Sequence, residues 1–331
     1  MIKNIVVSSR IRLARNVSAL PFPHKLDAER AFGFVKKVHD VLQTTEKFDM
    51  RFISQMDEVE KRAYLERHLI SLDLLQNNRL GAVMVNKDES LSIMLNEEDH
   101  IREQSIVKGL DLTKAYKKIR RIDDKIISQV ELAYDDHFGF LTSCPTNVGT
   151  GMRASVMMFL PALSRTGRIS ALIEALEKRK MTVRGIYGEG SSSSGYMYQI
   201  SNRTSLGYSE EDIIESVHKS VISVCQLENK EREVLFNTNK TAYTDRIMRS
   251  KGILTNAYIL STKEFFERFA DVKTGVALGI IECADVEKLD DFLVDVLPGN
   301  LIKKAGRQMR ERERDIYRAE YTRENLTKIL N

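Results

Sequence analysis

Strand-like alternation thins out near residue 228, and beyond it the apolar patterns are helical. A chain patterned this way must build a sheet-containing part first and a helical part after it. Residues 2–13 alternate and predict a strand, and residues 28–45 predict a helix with Phe34, Val38, Val41 and Leu42 on one face. Asp57 and Glu60 have capping-box spacing and open a helix predicted to reach about Ile70. Residues 81–85 and 90–95 flank Asn86-Lys87-Asp88-Glu89 and predict a hairpin. Ala115, Ile119, Ile122, Ile126 and Val130 mark another helix. Residues 138–143 predict a short strand, and the segment after Gly151 is expected to be helical. Residues 181–187 and 196–201 predict strands around a Gly/Ser loop, and Ser209 with Asp212 caps a following helix. Hairpin- and helix-linked strands imply an α+β fold with a largely antiparallel sheet covered by helices. We expect one domain over residues 1–240 and a helical one over 241–331. Ile302, Ala305, Met309, Ile316 and Ala319 suggest a seam that a partner helix could cover.

The 331 residues suffice for two domains. The longest apolar stretch, residues 154–163, is too short to span a bilayer and contains Pro161. Met1-Ile2-Lys3-Asn4 lacks signal-peptide architecture, so a cytoplasmic location is expected. Cys144, Cys225 and Cys283 form no Cys-x-x-Cys pair, which argues against a disulfide framework or structural zinc. The net charge of +4 is concentrated: residues 301–331 hold nine Lys/Arg against five Asp/Glu, a basic tail segment suited to acidic partners.

Two short patterns carry little weight. Gly149-x-Gly151-x-x-Ala154 fits a dinucleotide fingerprint, but no repeated parallel βαβ units surround it. His137-Phe138-Gly139 lacks the metal-binding Asp of hydroxyl kinases, and no catalytic His-Arg-Asp or Walker A sequence is present. Ser8-Ser9-Arg10-Ile11-Arg12-Leu13 is more informative. On a strand, Ser8, Arg10 and Arg12 share one face, and two neighbouring guanidiniums suit either an anion or a solvated edge. Arg102, Arg153 and Arg184 each sit where one element gives way to another.

Taken together, Ser8 to Arg12, Asn96 to Arg102, Cys144-Pro145-Thr146-Asn147-Val148-Gly149-Thr150-Gly151-Met152-Arg153 and Arg184-Gly185-Ile186-Tyr187-Gly188-Glu189 resemble the phosphagen (guanidino) kinase family. The blocks appear in family order across residues 5–205. Within that family the chain is most similar to the bacterial protein arginine kinases. The arginine-rich strand starts at residue 8, leaving no room for the helical N-terminal domain of the metabolite kinases. The loop at Gly190-Ser191-Ser192-Ser193-Ser194-Gly195 differs from theirs, and Arg314-Asp315-Ile316-Tyr317-Arg318-Ala319 matches a motif that binds phosphoarginine as a signal.

The resemblance implies a saddle-shaped antiparallel sheet and a helical dimerisation domain, hence a homodimer. It implies transfer of the γ-phosphoryl group of MgATP to protein arginine in stress response and quality control. The alternatives are a kinase of free arginine or another small guanidino compound, and a non-catalytic nucleotide-binding adaptor. It assigns the nucleotide to Ser8, Ser9, Arg10, Ile11, Arg12, His68, Arg102, Arg153, Ala154, Ser155, Val156, Met157, Arg184, Gly185, Ile186, Tyr187, Gly188 and Glu189. Glu98 becomes the base, Glu189 its orienting partner, and Cys144 a contact to the guanidino group. Arg314, Asp315, Arg318 and Ala319 become a regulatory phosphoarginine site. Partners implied are substrate proteins with exposed arginine, a zinc-binding activator, a heat-shock repressor and a Clp-type AAA+ unfoldase, with neither membrane nor nucleic acid.

The chemistry asks for these residue types. A guanidinium keeps its proton at neutral pH and is a poor nucleophile, so carboxylates must grip it and accept a proton. Phosphoryl transfer otherwise needs positioning and neutralisation of oxygen charge, which arginines and Mg²⁺ can supply. No all-protein metal cage is expected, since no dense carboxylate motif appears. Read from residues alone, His68 is a locally satisfied helix histidine, and Glu97-Glu98-Asp99 an acidic turn capping a helix. Cys144 could be a small buried hydrophobe, and Arg314 with Arg318 part of a solvated helix.

Overall fold

A computed structural model describes residues 2–76, 80–185 and 194–330. The strands are β1 (Val6–Arg15), β2 (Phe48–Phe52), β3 (Ala82–Asn86), β4 (Leu91–Leu95), β5 (Ile101–Lys108), β6 (Tyr134–Asp135), β7 (Gly139–Phe140), β8 (Met152–Phe159), β9 (Met181–Gly185) and β10 (Met197–Asn202). The chain divides into two compact units, Ser8–Ser155 with Ser201–His218, and Met1–Val7 with Val156–Ile200 and Lys219–Asn331.

The unit holding Ser8–Ser155 carries strands in the order β2-β3-β4-β5-β1-β8. The pairings from β2 through β1 are antiparallel. Helix Ala28–Gln43 starts on an Asp27 cap and buries Ala31, Phe34, Val35, Val38 and Leu42. The Asp57–Glu60 capping box opens helix Glu58–Glu66. That helix stops short of Ile70 because His68 takes a left-handed backbone (φ 60°), and a short helix, Leu72–Gln76, follows. Helix Leu112–Ile127 starts on Asp111 and buries Leu112, Ala115, Ile119, Ile122, Asp123 and Ile126.

The segment after Gly151 is strand β8, not the expected helix. A short, mostly apolar run rich in Met does not distinguish the two states locally, and sheet pairing decides. The glycines before it serve backbone packing. A Cβ at Gly151 (φ +65°) would fall 2.6 Å from the Ala14 carbonyl and 2.5 Å from an Arg15 guanidinium nitrogen.

Arg15 anchors this region. It is fully buried, its Nε and Nη2 donate to the two oxygens of Asp123 at 2.9 and 2.8 Å, and its Nη1 donates to the Ala14 and Thr150 carbonyls. Its guanidinium carbon lies 3.7 Å from the Phe140 ring centroid. Glu103, also fully buried, receives no hydrogen-bond donor at either oxygen. Burial, then the Asp123 charge, push its carboxyl well above the ordinary range, so it keeps its proton beside Asp123. Unfolding frees that carboxyl to ionise above its ordinary pKa, so the folded state loses stability as pH rises from there toward the raised value. Glu103→Gln removes the loss. Compared by urea melts, the variant should gain on the parent progressively as pH rises above the ordinary glutamate range. A pH-independent difference would contradict the protonated assignment.

In the unit holding Val156–Ile200 and Lys219–Asn331 the strand order is β8-β10-β9, and helices make up the rest. Its core gathers Leu254, Phe265, Phe269, Phe292, Ala319 and Leu326 among others. Glu228, fully buried, accepts the Ala162 and Leu163 N–H groups at the start of helix Pro161–Arg165 and also Arg232. The expected seam from Ile302 to Ala319 is broken. Helix Pro298–Ala305 ends at Gly306 (φ +65°), Glu311–Ile329 begins anew, and Ile316 is exposed. Among the described residues no helix is long and apolar enough to cross a membrane.

Candidate active site

The site is laid out by strand parity in the unit holding Ser8–Ser155. Arg15 faces helix Leu112–Ile127 through Asp123, so Arg10 and Arg12, an odd number of residues away, face the opposite side of the sheet. In the antiparallel register Arg12 pairs with Gln104 and Ala14 with Arg102, which brings Arg102 and Gln104 onto the same face. From β8, Ser155 meets Arg10, its Oγ 3.4 Å from Arg10 Nε. Arg153 donates to Ser201 Oγ at 2.9 and 3.2 Å.

Four guanidiniums thus crowd one patch. Arg10 is lowered to about 9 by burial, then by the charges of Arg102 and Arg153. Arg12 is held well below its ordinary value by burial and by Arg10, Arg102 and Arg153, against only Glu97. Arg12 Nε is buried without a hydrogen-bond partner. Guanidiniums stay protonated at neutral pH regardless, so the patch carries more positive charge than Glu97 offsets and suits several anionic oxygens. His68 lies among them: burial, then Arg10 and Arg12, lower its pKa to about 4, so the ring is neutral at physiological pH. Its carbonyl accepts from Gln104 Nε2 at 2.6 Å, and Gln104 Oε1 lies 3.4 Å from Arg10 Nη1.

Beside this patch a tight turn presents the acids. Asn96 takes a left-handed backbone (φ 56°), its N–H donates to the His100 carbonyl, and the Glu97 N–H donates to Asp99. Glu97 is buried and accepts Arg102 Nη1 at 2.5 and 2.7 Å, along with the Ser71 hydroxyl. Burial pushes its carboxyl up, but Arg102 and these hydrogen bonds outweigh that and hold it below the usual range. Glu98 is exposed, and partial desolvation, then Asp99 and Glu97, raise its pKa. The backbone splits two adjacent carboxylates into a buried anchor for Arg102 and an exposed side chain.

Asp99 ties this turn to the Cys144 segment. Its Oδ1 accepts the Ser143 N–H at 2.7 Å and Asn16 Nδ2 at 2.6 Å, while Ser143 Oγ donates to the Glu98 carbonyl at 2.8 Å. Cys144 follows at once, half-buried, with Sγ 3.1 Å from Thr146 Oγ1.

Of the residues expected in the nucleotide site, Arg10, Arg12, His68, Arg102, Arg153 and Ser155 come together. Ser8 lies on the clamp face by parity. Ser9 is turned away, its hydroxyl donating to the Gly109 carbonyl and accepting the Asp111 N–H. Ile11 and Ala154 also turn away into the core. Val156, Met157, Arg184 and Gly185 belong to the other unit; there Val156 is buried, Met157 half-buried, and Arg184 exposed near the end of β9. Ile186, Tyr187, Gly188, Glu189 and most of the Gly/Ser loop lie outside the described residues. In the sequence, Glu97 and Asp99 stand out only as parts of an acidic turn, and Gln104 and Ser201 do not stand out. Only Gln104 left a usable trace, at i+2 from Arg102 on an alternating strand.

In the helical unit, Arg318 is fully buried on helix Glu311–Ile329. Its Nε donates to the Val296 carbonyl at 3.1 Å, and its Nη1 donates to the Leu260 carbonyl and to Asp315 Oδ1 at 2.7 and 2.5 Å. Ala319 is buried beside it, and Arg314, half-buried one turn earlier, has a buried Nε without a partner.

Residues 33–231 match the ATP:guanido phosphotransferase, C-terminal catalytic domain. Residues 240–331 match the protein-arginine kinase McsB C-terminal domain. The chain belongs to the protein-arginine kinases. A protein-arginine kinase of Caldanaerobacter subterraneus subsp. tengcongensis is 42% identical over 335 residues, covering 98% of each chain. That of Bacillus subtilis is 40% identical over 333 residues, covering 99% of this chain and 92% of its own. Among solved structures, a substrate-free duplicated taurocyamine kinase from Schistosoma mansoni aligns with TM-score 0.61 and 25% identity, over 80% of this chain and 39% of that one. Lombricine kinase shares the fold, with TM-score 0.60 and 22% identity over 69% and 67% of the two chains.

Proposed function

We propose that the chain transfers the γ-phosphoryl group of ATP to arginine side chains of proteins. The observation that carries this is the concentration of Arg10, Arg12, Arg102 and Arg153 on one sheet face, with buried Glu97 the carboxylate bonded to Arg102 and exposed Glu98 beside it. The arginine forks bind the polyphosphate and spread its charge as the γ-phosphoryl group departs. Glu98 receives the incoming guanidinium and takes its proton as the nitrogen attacks, and a raised pKa makes it a stronger base than an ordinary glutamate. We assign Glu189 to grip the same guanidinium, Cys144 to contact it, and Arg184 to complete the clamp.

Among the described residues no group of three or more His, Cys, Asp and Glu side chains could hold a metal. We propose that Mg²⁺ comes in with the phosphates and water, where it would neutralise oxygen charge. We also propose that Arg314 and Asp315 receive phosphoarginine, with Arg318 fixing the local backbone. The homodimer, activator, repressor and unfoldase complexes, and a role in stress response, belong to the same proposal. The 40–43% identity of relatives named protein-arginine kinase supports it over the metabolite-kinase reading.

The test incubates the enzyme with ATP, free arginine and an unfolded protein, followed by mass spectrometry under conditions that preserve the P–N bond. Phosphate should appear on arginine within the protein. Phosphate confined to free arginine would make this a metabolite kinase, and nucleotide binding without transfer would make it an adaptor.

A further inference from the structure

The mechanism leaves a second, different surface unused. Helix Leu112–Ile127 covers the sheet face opposite the arginine clamp, as the Arg15–Asp123 pair requires. Between its outer side and the turn joining β3 to β4 lies an open cleft of about 900 Å³. Lys114, Lys117 and Arg121 line it at i, i+3 and i+7, away from the buried Ala115, Ile119 and Ile122. Lys87 lines it from the turn. Two of its cations are already matched: Arg121 meets Glu46 at 2.7 Å, and Lys118 meets Asp88 at 3.6 Å. The cleft's third carboxylate, Asp111, caps its own helix by accepting the Lys114 N–H at 2.8 Å. Lys87, Lys114 and Lys117 are exposed and have no acidic partner among the described residues. The cleft therefore keeps a positive surplus within a chain otherwise near balance.

We propose that this cleft is a docking site for an acidic segment of the protein substrate, distant from the arginine being phosphorylated. The inference rests on the reading of the chain as an enzyme of protein arginine. Three physical points favour a polypeptide with spaced carboxylates. Side chains three or four apart on a helix stand about 5–6 Å apart, close to the roughly 6.6–6.8 Å repeat of one face of an extended chain. Ammoniums are point charges without the planar fork that selects phosphate, so they suit individual carboxylates. Glu46, Asp88 and Asp111 interrupt the basic lining. They would repel a nucleic acid, which carries a charge every ~1.7 Å of duplex, but leave gaps that a peptide of alternating acidic and neutral residues can match. An enzyme whose reacting group is one side-chain type gains selectivity by holding the chain elsewhere, through effective concentration rather than new chemistry.

The test uses the full chain and two arginine-containing peptides. They are identical except that one carries, beyond a flexible spacer of about fifteen Gly/Ser residues, an extension of alternating Glu and Ser. On the parent enzyme the extension should lower KM by about tenfold or more at low salt, with kcat unchanged, and the gain should shrink as salt rises. Lys114→Glu with Lys117→Glu should abolish the gain while leaving the unextended peptide unaffected, and Lys114→Arg with Lys117→Arg should retain it. An equal gain in the Glu variant would overturn the proposal. So would absence of any gain on the parent, or a cleft that binds inorganic polyphosphate and not the labelled Glu/Ser segment. Phosphorylation of the unextended peptide is measured in the same assay, so failure of the protein-arginine reading would show there separately.

Discussion

Glu98→Gln should lower the rate of phosphoryl transfer about 10²- to 10⁴-fold, the usual worth of a positioned general base, while ATP binding stays close to that of the parent. The split follows from the turn that carries it. Glu97, not Glu98, holds Arg102 at 2.5 and 2.7 Å, so the neighbouring amide removes no partner from the proposed clamp. Ser143 holds Glu98 by its carbonyl, so the turn keeps its shape when the side chain changes. Because desolvation, then Asp99 and Glu97, raise the Glu98 pKa, transfer by the parent should fall as pH drops through that raised value, and the Gln variant should lose this acidic limb. Glu97→Gln should behave oppositely, loosening ATP binding through Arg102. Single-turnover rates beside nucleotide titrations decide the matter. Undiminished transfer by Glu98→Gln would remove it from the chemistry.

Much of this site was legible because a strand alternates with period two. Once residues 8–12 are a strand, Arg10 and Arg12 must share a face, and the structure places Arg102 and Arg153 with them. What the local pattern left open was which strands neighbour that one. Residues 101–108 were not anticipated as β5, since their alternation mixes charged, amide and hydroxyl groups with few apolar ones. Residues 152–159 were read as helix because Ala and Met suit a helix as well as a doubly covered strand. The division of labour between Glu97 and Glu98 is out of reach of the local pattern, and only the family resemblance selects Glu98. Two adjacent glutamates look alike until a left-handed Asn96 turns one inward and the other out. The buried pair that supports β1 joins residues 108 positions apart, and nothing in either local sequence announces it.

That pair carries the largest expected effect on stability. Asp123→Ala leaves the Arg15 guanidinium buried without its carboxylate, and breaking a fully buried pair from one side costs about 3–5 kcal/mol. The neighbourhood limits the damage in a way that can be measured. Glu103 stays protonated while Asp123 is charged beside it. With Asp123 gone, its carboxyl loses the nearest like charge and keeps Arg15, so it ionises more readily and replaces part of the lost pairing. The gap between Asp123→Ala and the parent should therefore narrow as pH rises from about 5 to about 8. In the Glu103→Gln background no replacement acid exists, and Asp123→Ala should cost the same at both pH values. Because Arg15 and the clamp residues Arg10 and Arg12 share one strand, transfer should fall along with stability in Asp123→Ala. Denaturant melts of the four chains at both pH values close the cycle. Melting of Asp123→Ala indistinguishable from the parent would mean that Arg15 is held by the Ala14 and Thr150 carbonyls and Phe140 alone.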